Sequence, residues 1–203
     1  MTVSLRSALE IASHEAVIRQ AYKDSVDVWT WSVGITSASG HNVERYIDDP
    51  QPMQKCIEVF QWALERYADD VREAMGNDLT EEQFTAALSF HWNTGAIKRA
   101  SWVDHFNAGR MAEAKRAFMA WRKPPEIIPR RQAECDLFFD GKWSNKGTLP
   151  EYTRLRSNHT PDWSSRVERD VSAFLVQPEP LPEKERKGFW ASILALLWIF
   201  KRR

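Results

Sequence analysis

Three polar side chains near the start of the chain carry residue types that hydrolytic chemistry needs: Glu15, Asp24 nine residues later, and Thr30 six beyond that. They share one stretch, His14 to Gly34, which reads HEAVIRQAYKDSVDVWTWSVG. Cleaving a glycosidic bond takes a proton for the leaving oxygen and a group that steadies a water or nucleophile at the anomeric carbon. Two carboxyl groups flanking the bond supply both. A helix end followed at once by a hairpin would set Glu15 on one wall of a cleft and Asp24 on the other. Thr30, on the return strand at even spacing from Asp24, would face the same water. The residues also have plainer uses, Glu15 as a solvated helix residue and Asp24 as a turn former.

The elements that must position these groups follow from periodicity. Ser4 caps a helix expected to run to about Gln20, with Leu5, Ala8, Leu9, Ala12 and Ala16 tracing its buried stripe. Trp29, Trp31 and Val33 alternate with Thr30 and Ser32 as in a strand, and the preceding DSVD supplies the turn of a small hairpin. SASGH, over 37–41, reads as another turn. From Pro52 the pattern is helical. Residues 53–75 carry Ile57, Phe60, Leu64, Tyr67 and Val71 at helical spacing and stop at Gly76. Thr80 and Gln83 form a capping box that opens a central buried helix closed by Gly95. Further helices are expected at 100–107, at 111–121 through Ala114, Phe118 and Trp121, and from Pro129 to Asp140-Gly141.

After Trp143 no period is sustained. SSRVERDVSAFL reads as one short helix and QPEPLPEKERK as an extended linker. The expected folded unit is therefore 1–144, mostly α with one small sheet, followed by a linker or extension over 145–187. Residues 188–203 hold GFWASILALLWIF between basic flanks. As a helix this run reaches only about 20 Å against a bilayer core of about 30 Å. An interfacial helix, a short membrane anchor and a partner-docking segment are all open readings. The basic flanks suit anionic lipid, so association with the inner membrane is expected.

Composition narrows the function classes. Lys+Arg and Asp+Glu are both 28, so the net charge is zero and no nucleic-acid partner is expected. Cys56 and Cys135 lie far apart without a CxxC and read as free thiols. His14, His41, His91, His105 and His159 show no metal spacing, so neither a metal nor another cofactor is expected. The N-terminus MTVSLRSALEIAS lacks the charge and apolar run of an ordinary secretory signal. Ten Trp and ten Phe are many for 203 residues. Most are expected in the core, with some free to line a groove for sugar rings.

The wider pattern resembles the active-site segment of bacteriophage-type lysozymes, the endolysins of glycoside hydrolase family twenty-four. Their signature is a catalytic Glu, eight residues, an Asp or Cys, five residues and a Thr. Glu15, Tyr22, Asp24, Thr30 and Gly34 fall in register with it. Downstream, LTEEQFTAALSFHWNTG, AFMAW, PRRQAE and LFFDGKW are similar to further motifs of the family in the same order. The likeness covers about 1–144. It implies an α+β, mostly α, lysozyme-like fold with a small β-hairpin lobe, a larger helical lobe and, here, a C-terminal tail. It also implies a muramidase that cuts the β-1,4 bond between N-acetylmuramic acid and N-acetylglucosamine in peptidoglycan. The protein would be made in the bacterial cytoplasm and act as a monomer on the wall.

On this resemblance Glu15 would be the general acid, with Asp24 and Thr30 holding the attacking water so that the anomeric carbon inverts. Asn93 would lie in the substrate groove. Trp92 would stack a sugar there or pack in the core. Arg130 or Arg131 would pair with the acid, and Trp121 would serve packing. The chain departs from the pattern at Ala16 and Asp27, where the family has Gly, and at Ile35, where Gly-His is expected after the strand. The other open readings are a chitinase- or chitosanase-like hydrolase and a non-catalytic wall-binding or virion module. Retention of all three active-site residues argues against the last.

Overall fold

The computed structural model describes residues 2–175. Helix α1 (Leu5–Ser13) opens at Ser4, whose hydroxyl accepts the Ser7 N–H at 3.0 Å and so satisfies a backbone donor the helix start leaves unpaired. It ends at Ser13 and not near Gln20. Val17 and Ile18 are β-branched and favour extended backbone, and Val17 has a strand partner. Its N–H donates to the Pro150 carbonyl at 2.9 Å, and its carbonyl accepts the Tyr152 N–H at 3.1 Å. Glu15 consequently lies in the short link after α1, outside the helix.

Strands β1 (Ile18–Lys23), β2 (Trp29–Ser32) and β3 (Ile35–Thr36) form an antiparallel sheet. Tyr22 pairs with Thr30 and Lys23 with Trp29, and the register breaks between Ile18 and Tyr22. Asp24 ties the turn between β1 and β2: its Oδ1 accepts the N–H groups of Val26 and Val28, both at 2.9 Å. Asp27 takes the left-handed conformation at φ 62°, and Gly34 does so at φ 76° between β2 and β3. The turn thus keeps its shape with Asp where the family pattern has Gly.

The helical lobe contains α2 (Met53–Met75), α3 (Glu81–Thr94), α4 (Ser101–Asn107), α5 (Met111–Phe118) and α6 (Ile128–Asp140). The capping box at Thr80 and Gln83 is complete, and Gly95 closes α3 in the left-handed conformation. α3 is buried over most of its length, from Phe84 to His91, which makes it the central element of the lobe. Phe90, Trp102, Phe118 and Phe138 pack with ring centroids 4.8–6.4 Å apart, mostly edge to face. Trp121 lies past the end of α5 and packs on Phe90 at 5.2 Å. Cys56 and Cys135 are buried free thiols.

Beyond α6 the chain does not become irregular, as its lack of period suggested. β4 (Thr148–Tyr152) and β5 (Arg166–Asp170) pair antiparallel from Thr148–Asp170 to Tyr152–Arg166, and α7 (Ser172–Leu175) follows. SSRVERDVSAFL is accordingly the end of a 3-10 turn, a strand and a short helical turn, and not one helix. Leu149 and Val171 join the main core. Two buried carboxylates fasten this hairpin. Glu10, on α1, accepts the backbone N–H groups of Ser144 at 3.1 Å and Asn145 at 2.9 Å. Glu151, on β4, binds Arg19 of β1 at 2.8 Å and also Arg169 of β5.

Among the described residues no helix is long and apolar enough to cross a membrane. The apolar segment 188–203, which carries the membrane expectation, lies outside those residues, as do 176–187.

Candidate active site

Glu15 is half-buried, with 33% of its side chain exposed, and lines a cleft of about 460 Å³. His14, Tyr22 and Gly34 line the same cleft, together with Pro150, Tyr152, Trp163 and Arg166 from the β4–β5 region. A second depression of about 210 Å³ also borders Gly34 and is lined by Tyr67 and Trp92. The two depressions share Gly34 in their linings.

The position of Glu15 is set from the interior. Its Oε1 accepts a charged hydrogen bond from Arg130 Nη1, whereas Oε2 has no protein hydrogen bond among the described residues. Arg130, on α6, also donates through Nε to Glu134 Oε1 at 2.9 Å and through Nη2 to the Ser89 carbonyl of α3 at 3.2 Å. Glu134 stands four residues from Arg130 and three from Arg131, spacings that put all three on one helix face. Arg131 completes the set: it binds Glu134, the Trp121 carbonyl at 3.0 Å and Asn93 Oδ1 at 2.8 Å. Its guanidinium lies over the Phe90 ring at 4.5 Å.

Two arginines thus face two carboxylates, and the buried charges compensate. Burial alone would lower the Arg130 pKa, but Glu134 and Glu15 outweigh it and the net direction is upward. Of the two candidate arginines, Arg130 pairs with Glu15, while Arg131 holds Glu134 and Asn93. Asn93 is exposed, with its carbonyl committed to Arg131. Trp92 is half-buried against Phe60 at 5.2 Å and Tyr67 at 4.8 Å, and it lines the second depression and not the Glu15 cleft.

Asp24 and Thr30 belong to the hairpin and do not line the Glu15 cleft directly. Thr30 is buried, and its hydroxyl lies 3.4 Å from Asp24 Oδ2 and 3.2 Å from the Val28 carbonyl. Tyr22 links the two sides: it pairs with Thr30 across the sheet and lines the cleft beside Glu15. Burial pushes its phenol upward, and the charges of Asp24 and then Glu15 push it further. Tyr22 therefore stays a neutral hydroxyl within the field of both carboxylates. His14 is also neutral: burial, then Arg130 and Arg131, bring its pKa from 6.5 down to about 4.

Sequence reasoning did not single out Glu134, Ser89 or His14. The i+3 and i+4 offsets in RRQAE were a signal for Glu134. None existed for Tyr152, Trp163 or Arg166, which come to the cleft only through tertiary pairing.

The fold is that of the lysozyme-like α+β class. The model of the phage lysozyme family matches residues 12–134, and the chain belongs to that family. It is 27% identical over 157 residues to the endolysins of Bacillus phages B103 and PZA, a match that takes in 71% of this chain. The chain spans 57% and 58% of the length of those two relatives.

Among solved structures, the endolysin from Escherichia coli O157:H7 phage FAHEc1 superposes with a TM-score of 0.64 at 20% identity, over 71% of this chain and 98% of that one. A P22 lysozyme variant gives 0.60 at 24% identity, over 68% and 98%. The muramidase domain of SpmX from Asticaccaulis excentricus gives 0.57 at 23%, over 68% and 97%. These structures are covered almost whole, whereas about three-tenths of the present chain lies outside each match.

Proposed function

We propose that the chain is an endolysin-type muramidase that hydrolyses the β-1,4 bond between N-acetylmuramic acid and N-acetylglucosamine in peptidoglycan. It acts as a monomer on the bacterial cell wall, without metal or cofactor. The observation that carries this reading is a single half-buried carboxyl, Glu15, fixed through one oxygen by Arg130 in a sugar-sized groove of a phage lysozyme fold. Its other oxygen carries the proton that goes to the departing glycosidic oxygen.

Asp24 spends Oδ1 on two backbone N–H groups and holds Oδ2 beside the Thr30 hydroxyl. A carboxylate so restrained suits orienting a water better than attacking carbon, so the reaction is written as one displacement with inversion. Water adds to the anomeric carbon as the glycosidic bond breaks. Its proton passes toward Asp24, and the leaving sugar takes the proton from Glu15. The homology to named endolysins and the similarity to a muramidase domain favour peptidoglycan over chitin as the sugar polymer.

Loss of a general acid costs about 10²–10⁴ in rate. Glu15→Gln should therefore be almost silent on purified peptidoglycan in a zymogram or turbidity assay while its circular dichroism stays that of the wild type. Undiminished lysis by this variant would overturn the assignment. NMR of the fresh product gives the stereochemistry: an α anomer is expected, and a β anomer would remove Asp24 and Thr30 from the water-holding role.

A further inference from the structure

Part of the Glu15 cleft is built by chain that the family match does not reach. The match ends at residue 134, yet Pro150, Tyr152, Trp163 and Arg166 line the cleft together with Glu15, Tyr22 and Gly34. This wall is fixed to the site. Val17, two residues from Glu15, exchanges hydrogen bonds with Pro150 and Tyr152. The buried Glu151 between them binds arginines from β1 and β5. At the far end of β1 the Lys23 N–H donates to the His159 carbonyl at 2.9 Å, and the His159 ring meets Trp29 at 5.3 Å.

The surface so held is aromatic. Trp163 is 60% exposed, and its ring stands at 84° to that of Tyr152, with centroids 4.9 Å apart. At that exposure much of the indole surface is open to solvent, and a flat apolar ring face matches the C–H face of a pyranose. Arg166 binds Glu168 through Nη2 at 2.6 Å, which holds a multi-donor group on the same wall.

We propose that Tyr152, Trp163 and Arg166 form an added glycan-binding subsite, contributed by the β4–β5 hairpin, that grips the polysaccharide beside the bond to be cut. The inference rests on the reading that the Glu15 cleft takes a peptidoglycan strand. Trp163 stacks on a sugar ring, Tyr152 sets the tilt of the indole, and Arg166 donates to sugar acetamido or carboxylate oxygens. Such contacts are made equally before and during bond cleavage, so they act on substrate capture and not on the chemical step.

Trp163→Ala should raise KM for purified peptidoglycan about tenfold with kcat nearly constant, and Trp163→Phe should recover most of the loss. Both variants should melt with the wild type, because the ring is exposed. In parallel, the Glu15→Gln chain is titrated calorimetrically with soluble glycan fragments of the wall, with and without Trp163→Ala; the double variant should bind about tenfold more weakly. Unchanged KM and unchanged fragment affinity would overturn the subsite while wild-type lysis, lost in Glu15→Gln, still upheld the muramidase reading. A fall in kcat at constant KM would likewise overturn it. Absent hydrolysis with fragment binding that still weakens in Trp163→Ala would uphold the subsite and sink the catalytic reading; absent hydrolysis and absent binding would sink both.

Discussion

Arg130 divides its guanidinium between Glu15 at the groove and Glu134 in the interior, and this sharing is what makes the acid's position a property of α6. The same two arginines act on His14, one residue from the acid. In the native fold its pKa is about 4, against 6.5 when free, through burial first and the Arg130 and Arg131 charges second. Between those values the unfolded chain binds the proton and the folded one does not. Stability is therefore undiminished by this group above pH 6.5 and declines as pH falls through the window, by up to ~3 kcal/mol in all. Thermal melts from pH 7 to 4 should fall less steeply for His14→Gln than for wild type; parallel curves would show that His14 does not titrate this way. Residue types and intervals marked Glu15, Asp24 and Thr30 as candidates in the sequence, and of these Glu15 lines the cleft while Asp24 and Thr30 do not. Types and intervals could not choose between Arg130 and Arg131, since neighbouring helix positions differ by about 100° in direction and only packing decides which one reaches outward.

The first turn of the sheet concentrates the element-scale question, because Asp24 serves it twice, tying the loop through one oxygen and facing Thr30 with the other. Asp27 holds a left-handed backbone there at φ 62°, and its side chain pairs with Lys23 at 3.6 Å on the exposed surface. Relief of that strain outweighs the extra flexibility of glycine, so Asp27→Gly should stabilise by about 0.5 kcal/mol, a rise of roughly 1–2 °C in Tm, with lysis retained. A lower Tm would mean that the turn does not depend on left-handed freedom. Caps and periodicity revealed α2, α3 and α6 closely, and the hairpin as well. The end of α1 and the β4–β5 pair were not readable. β5, RVERD, is exposed at every position, and β4 contains Pro150, so neither shows the apolar alternation by which strands are recognised. Their pairing is held by the Glu151 ion pairs and by Val17, which lies more than a hundred residues earlier in the chain.

At the scale of the whole molecule, residues 145–175 brace both lobes, touching α1 through Glu10, the link that carries Glu15 through Val17 and the hairpin through His159. The family match ends at residue 134, inside α6, which would suggest a natural place to cut just after that helix. Glu10 contradicts that. A chain ended at residue 143 would discard Ser144 and Asn145, which supply the backbone donors to Glu10, and would uncover its carboxylate. Hydrogen bonds to a charged group contribute about 1.5–3 kcal/mol each, and the core contacts of Leu149 and Val171 go with them, so the cut protein should melt roughly 10 °C lower. A shortened chain as stable as its parent would refute the argument. The first helix of the fold and its last hairpin are thus one mechanical unit: an acid near the start of the chain is satisfied by backbone that arrives more than a hundred residues later.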